Sequence, residues 1–131
     1  MDSNISLARK AYLHDANGPV IWGVSDCATS ASAAIQSATG FDCWAFYRAK
    51  YQDRATLREL CGCGVSRLIK RFAYAHNWIP CDGTKGLCIG LVIGGEGPAI
   101  AMGFDGVWLA RGGLGVVVEP IARVHSAWRV C

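Results

Sequence analysis

Apolar residues in the first half of the chain recur at helical spacing, whereas those of the second half come in short runs cut by glycine. Ile5, Leu7, Ala8, Ala11 and Tyr12 mark one face of an amphipathic helix that Ser3 or Asn4 can cap and that Asn17-Gly18-Pro19 ends. After that break, Val20-Ile21-Trp22-Gly23 is too short for a helix. Asp26 then stands as N-cap of a second helix, from Cys27 to Thr39, with Gly40 as its stop. Ala28, Ala31, Ser32, Ala34 and Ala38 leave little bulk on any face of this segment, which predicts a central, buried helix that neighbouring backbone approaches closely. The aromatic stretch carrying Trp44, Phe46, Tyr47 and Tyr51 reads as a packed loop or short helix. Asp53 is expected to cap a helix through Thr56, Leu57 and Leu60 that breaks at Cys61-Gly62-Cys63-Gly64. Val65, Leu68, Ile69, Phe72 and Ala73 mark another, ending near His76-Asn77-Trp78.

From Gly86 onward the pattern changes. Apolar runs at 87–93, 99–104, 107–110, 114–118 and 127–130 predict antiparallel strands. The turns fall at Gly94-Gly95-Glu96-Gly97, Phe104-Asp105-Gly106 and Arg111-Gly112-Gly113. The expected fold is therefore α+β, with a helical first half packed on a C-terminal antiparallel meander that curls into a half-barrel. At 131 residues with no linker, the prior is one domain able to bury a core without staples.

Composition narrows the function classes. With 52% apolar and 18% charged residues and a net charge of +3, the chain reads as globular rather than disordered. Thirteen basic residues face ten acidic ones, and the one close basic group, Arg67, Lys70 and Arg71, fits a solvated helix face; nucleic acid is not an expected partner. The longest uncharged candidate run, 86–95, is too short and too rich in glycine to span a bilayer, so no membrane span is expected. The start, Met1-Asp2-Ser3-Asn4, lacks the basic and apolar regions of a secretory signal, and synthesis in the cytoplasm is expected.

Seven cysteines, an odd number without a framework spacing, argue for reduced thiols. Cys61-Gly62-Cys63 is not the Cys-x-x-Cys knuckle of zinc ribbons, and Cys81 and Cys88 have no neighbouring histidine. A cluster of Cys43, Cys61, Cys63 and Cys81 is the metal alternative; thiols filling small core gaps is the plainer one, and no metal is assigned. No Gly-Lys-Ser or Gly-x-Gly-x-x-Gly opens a helix after a strand, so no nucleotide or other cofactor is expected. The five tryptophans and the terminal Cys131 are candidates for an interface.

The most informative residues are Trp22-Gly23-Val24-Ser25-Asp26-Cys27, which place a thiol in the first turn of a helix. Free N–H groups and the helix dipole there favour the thiolate, and the same donors could face a developing oxyanion. Cys27 is thus a candidate nucleophile, with a small buried residue at a helix start as the plain alternative. The stretch 19–40, a Trp-Gly two residues ahead of an Asp-Cys that opens a small-residue helix ending in glycine, resembles the nucleophile region of NlpC-type papain-like cysteine peptidases. Its compact spacing, with Asp105-Gly106-Val107 and the closing Ala127-Trp128-Arg129-Val130, is more similar to a phage-tail domain family of unknown function, a divergent branch of that group.

That resemblance covers nearly the whole chain. It implies a papain-like fold, a place in the virion at the tail tip or baseplate, and other tail proteins as partners, with peptidoglycan as the substrate of an active site. A papain-like hydrolase needs a base beside the thiol and a group to orient that base. In the NlpC-type pattern the base is a histidine on the strand following a Gly-Asp strand; those positions fall at Gly86-Leu87 and at Ala99, which carry neither polar residue. The orienting position, around Trp108 to Arg111, has no His, Asn or Asp. Of the three histidines, His14 and His76 lie near helix ends, and His125, expected ahead of the last strand, is the candidate replacement base. The resulting expectation is a structural or assembly component of a phage tail with a degenerate peptidase-like site. Its rival is an active cysteine peptidase or amidase opening peptidoglycan during DNA entry, and a metal-stabilised structural module is the third class.

Overall fold

Two aspartates start helices by the same device. Asp26 and Asp53 each accept the N–H of the residue three ahead, Thr29 and Thr56, whose hydroxyls return the bond to the aspartate's own N–H. These reciprocal caps satisfy donors that a helix start otherwise leaves open. The structure, a computed structural model, describes residues 3–94 and 97–130. Its helices are α1 (Ser3–Asp15), α2 (Cys27–Thr39), α3 (Arg54–Cys61) and α4 (Val65–Ala75). Ser3 lies inside α1 rather than capping it. Gly40 and Gly62 end α2 and α3 in the left-handed conformation. The aromatic stretch between α2 and α3 forms turns, with Trp44 and Tyr51 buried.

The strands are β1 (Ile79–Pro80), β2 (Leu87–Gly94), β3 (Gly97–Phe104), β4 (Val107–Arg111), β5 (Val116–Glu119) and β6 (Val124–Arg129), in one antiparallel sheet ordered β1-β6-β2-β3-β4-β5. The fold is α+β, as expected, but the sheet is not a simple meander. β6 returns from the far end of the chain to lie between β1 and β2, and β1 and β5 remain edges rather than closing a barrel. β1 escaped the sequence pattern because two residues show no alternation. β6 begins three residues before the expected run because His125 sits at a bulge opposite Leu91 and Val92, which breaks the period. Gly95 and Glu96, the middle of the first glycine turn, and Cys131, named above as an interface candidate, lie outside the described residues.

Alternation along β2, β3 and β4 separates two cores. Leu87, Ile89, Leu91, Ile100, Met102, Phe104 and Leu109 face the helices and join Tyr12, Ile35, Trp44 and Ile69. On the opposite face Cys88, Val92, Ala101, Ala110 and Ala127 surround Trp108, which is fully buried. The indole lies flat on Gly103, where a Cβ would come within 2.6 Å of it. α1 and α2 pack on one another, and both, with α4, lean on β3. β3 is therefore the strand against which the head of α2 is held. Among the described residues no helix is long and apolar enough to cross a membrane.

Candidate functional site

The loop into α2 is pinned before the helix starts. Gly23 has a positive φ of 82°, and a Cβ there would lie 2.5 Å from the carbonyl oxygen of Tyr51, so only glycine lets the chain pass. The Gly23 carbonyl accepts the N–H of Ala49 at 2.9 Å. Three residues later the carboxylate of Asp26 is 1% exposed and meets four donors. Its Oδ1 accepts the N–H groups of Ala28 and Thr29, both at 2.9 Å, and its Oδ2 accepts the Gly23 N–H at 2.8 Å and the Tyr51 hydroxyl at 2.6 Å. Trp44 Nε1 donates to the same tyrosine oxygen at 3.0 Å. A fully satisfied carboxylate is the arrangement in which a buried charge can persist. Burial, and after it the neighbouring Asp26, push the Tyr51 hydroxyl up, so it stays a donor.

Cys27 is the first residue of α2 and is half-buried. Its sulfur is held against β3, where the Ile100 N–H points at it, with the Ala28 N–H and the Arg54 guanidinium also acting on it. Those three favour a thiolate. Burial, followed by the negative charge of Asp26, outweighs them and pushes the thiol up from its ordinary value. The helix head favours the thiolate, as expected, but does not decide the thiol's state. The first-turn N–H groups of Ala28 and Thr29 are engaged by Asp26, and that carboxylate repels a second negative charge beside it.

Arg54 Nη1 donates to the Pro98 carbonyl at 3.1 Å, and its guanidinium lies 5.8 Å from the Trp22 ring, fixing the cation beside the sulfur. On the other side of α2, Arg111 on β4 donates from Nη1 to Ser25 Oγ at 2.9 Å and Ser30 Oγ at 3.1 Å, and from Nη2 to the Gly18 carbonyl at 2.9 Å. Asp15 Oδ1 accepts the hydroxyls of Thr29 at 2.9 Å and Ser30 at 2.7 Å. Tyr12 is fully buried, burial pushes its hydroxyl up, and that hydroxyl finds no hydrogen-bond partner among the described residues.

The strand position opposite the sulfur differs from the expected one by a residue. Ala99 packs with the Trp108 cluster on the far face of the sheet, while Ile100 faces the helices. The strand residue turned to the helices thus carries only carbon; a cavity of about 310 Å³ that Arg54 and Pro98 share with Arg58, Cys63 and Ser66 is not lined by Cys27. His125 lies inside β6 rather than ahead of it and is exposed, with β2 between its strand and β3. No imidazole is among the groups that shift the Cys27 thiol. His14 is in the last turn of α1. His76 caps the end of α4 and stacks on Phe72 and Trp78 with ring centroids 5.9 and 5.4 Å apart.

The six described cysteines are free thiols. The four considered as a metal cluster are not gathered: Cys61 and Cys63 flank the end of α3, Cys43 lies in the aromatic segment, and Cys81 contacts Cys88 instead. Among the described residues no group of three or more His, Cys, Asp or Glu is placed to hold a metal ion.

A family model described as a domain of unknown function, DUF6950, matches residues 4–130. The chain belongs to that family. Comparison with curated proteins and with solved structures returned no match. For this DUF6950 domain the sequence pattern located Asp26 and Cys27, but Tyr12, Tyr51, Arg54 and Arg111 escaped it. The spacing of Asp26 and Thr29 signals a capping box. Nothing in the order of residues signals that Arg111 reaches Ser25 from 86 positions away.

Proposed function

We propose that this domain is a phage tail-tip or baseplate component with a papain-like frame, in which the peptidase nucleophile position survives as Cys27 and the chemistry does not. The observation that supports the reading is the surroundings of Cys27: it heads a helix packed on an antiparallel sheet, as a papain-like nucleophile would, yet the strand residue turned to the helices there is Ile100, and no imidazole is among the groups that shift the thiol. The motif resemblance supplies the virion setting and the tail proteins as partners. A scaffold of this kind hosts active and inactive members alike, so the site, and not the frame, decides between assembly and hydrolysis.

The test has two arms. Iodoacetamide at neutral pH is expected to label Cys27 no faster than the other half-buried thiols, and muropeptide cleavage by the wild-type protein is expected to match that of Cys27→Ala. Selective labelling of Cys27 together with cleavage lost in Cys27→Ala would establish the rival peptidase. Tails that assemble normally without the protein, or purified tails that lack it, would remove the virion role.

A further inference from the structure

The open face of the sheet carries a pair of thiols that the site around Cys27 does not use. Cys81 follows β1 and is half-buried; its N–H donates to the Ala127 carbonyl at 3.0 Å. The chain then crosses over Trp108, whose Nε1 donates to the Gly83 carbonyl at 3.1 Å. It turns at Asp82 and Thr84 and is held by the Gly86 N–H on Asp105 Oδ1 at 2.8 Å. It enters β2 so that Cys88, fully buried, points back into the same cluster. The two sulfurs are 3.5 Å apart, and among the described residues no other two sulfurs make such a contact.

We propose that Cys81 and Cys88 are a redox-reactive dithiol that closes to an intramolecular disulfide on exposure to a low-molecular-weight disulfide, locking the 82–87 strap over Trp108. A disulfide bond is about 2.05 Å long, so the sulfurs must approach by roughly 1.5 Å. The strap that would yield is exposed at Asp82, Thr84 and Lys85.

The chemistry is an ordinary double exchange. The Cys81 thiolate attacks one sulfur of the oxidant, forming a mixed disulfide and expelling one thiolate. The Cys88 thiol gives its proton to solvent, and its sulfur displaces the second thiolate from Cys81. One oxidant disulfide is reduced to two thiols, and two cysteine thiols are oxidised to one disulfide. Cys81 makes the first attack because it reaches the surface. Burial pushes Cys88 up to about 12, and the Cys81 contact adds to it, so the second step is slow near neutral pH.

The experiment uses the reduced, full-length protein incubated with oxidised glutathione and followed by thiol counting and peptide mapping. Wild type is expected to lose two thiols, with Cys81 and Cys88 in one cross-linked peptide, and closure is expected to quicken by about tenfold per pH unit between pH 7 and 9. Cys88→Ser is expected to stop at a glutathione adduct on Cys81, and Cys81→Ser, which leaves the buried sulfur in place, is expected to form neither product. A glutathione adduct on wild-type Cys81 that persists at pH 9 without resolving to the cross-link, or both thiols still free while other cysteines react, would overturn the proposal. Trp108 supplies a further readout: its emission is expected to change on closure in wild type and to stay unchanged in both variants.

Discussion

Removing the Asp26 carboxylate tests the site most directly, because one side chain holds the helix head, the Gly23 turn and the Tyr51 hydroxyl together. In Asp26→Ala the cap on Ala28 and Thr29 is lost, at about 1 kcal/mol. The Gly23 N–H and the Tyr51 hydroxyl are left as buried donors, at about 1–3 kcal/mol each. Relief of the buried charge offsets part of this. The net expectation is a loss of about 3–5 kcal/mol, a large share of the roughly 5–15 kcal/mol typical of a domain. Urea unfolding at pH 7, followed by tryptophan emission and circular dichroism, reads it. Tyr51→Phe alone should cost at least about 1.5–3 kcal/mol, since it removes a bond to a charged acceptor and also leaves the buried Trp44 Nε1–H without its partner. In the double variant the two losses should fall short of additivity by at least about 1 kcal/mol, since the bond they share can be lost only once. A loss below about 1 kcal/mol for Asp26→Ala, or additivity within about 0.5 kcal/mol, would refute the claim that these groups form one unit.

Asp26→Asn should make Cys27 react faster with iodoacetamide at pH 8, because the substitution removes the negative charge that, after burial, holds the thiol proton; an unchanged rate would assign the whole effect to burial. Gly103→Ala should destabilise by about 1–3 kcal/mol through its clash with the Trp108 ring, and by less in a Trp108→Phe background, again by urea titration. Burial raises Cys43 to about 11 and Cys88 to about 12 against an ordinary 9.0, so both thiols stay protonated in the fold while the unfolded chain ionises. That contribution is whole below pH 9 and drains as pH rises toward 11, by up to about 1.4 kcal/mol per pH unit per thiol. A flat unfolding free energy between pH 9 and 10.5 would contradict it, and Cys43→Ala should reduce the slope.

Helix starts and stops were legible because they rest on local chemistry. Asp26 with Thr29, Asp53 with Thr56, Gly40 and Gly62 each act within one turn of chain. The strands of β2, β3 and β4 were legible from their apolar runs, but their order was not, since the pairing of β6 with both β1 and β2 is decided by packing over some forty residues. The same distance hid the site. Asp26 is completed by Tyr51 and flanked by an arginine from α3 whose carbonyl partner lies on β3. The one-residue offset between Ala99 and Ile100 shows the limit sharply: with a period of two, placing a position one step wrong moves its side chain to the other face of the sheet.

That offset also sharpens what the head of α2 is built to do. A helix start serving hydrolysis keeps first-turn N–H groups open toward the bond under attack and a proton acceptor beside the sulfur. Here Asp26 engages the N–H groups of Ala28 and Thr29, Arg54 is bonded to the Pro98 carbonyl, and Arg111 is bound by Ser25, Ser30 and Gly18. Several polar groups around the thiol are thus already bonded, although the buried Tyr12 hydroxyl and Arg111 Nε have no hydrogen-bond partner among the described residues. Those bonds tie α2 to α1 through Asp15 and to β4 through Arg111, while burial and the Asp26 charge favour the protonated Cys27 thiol.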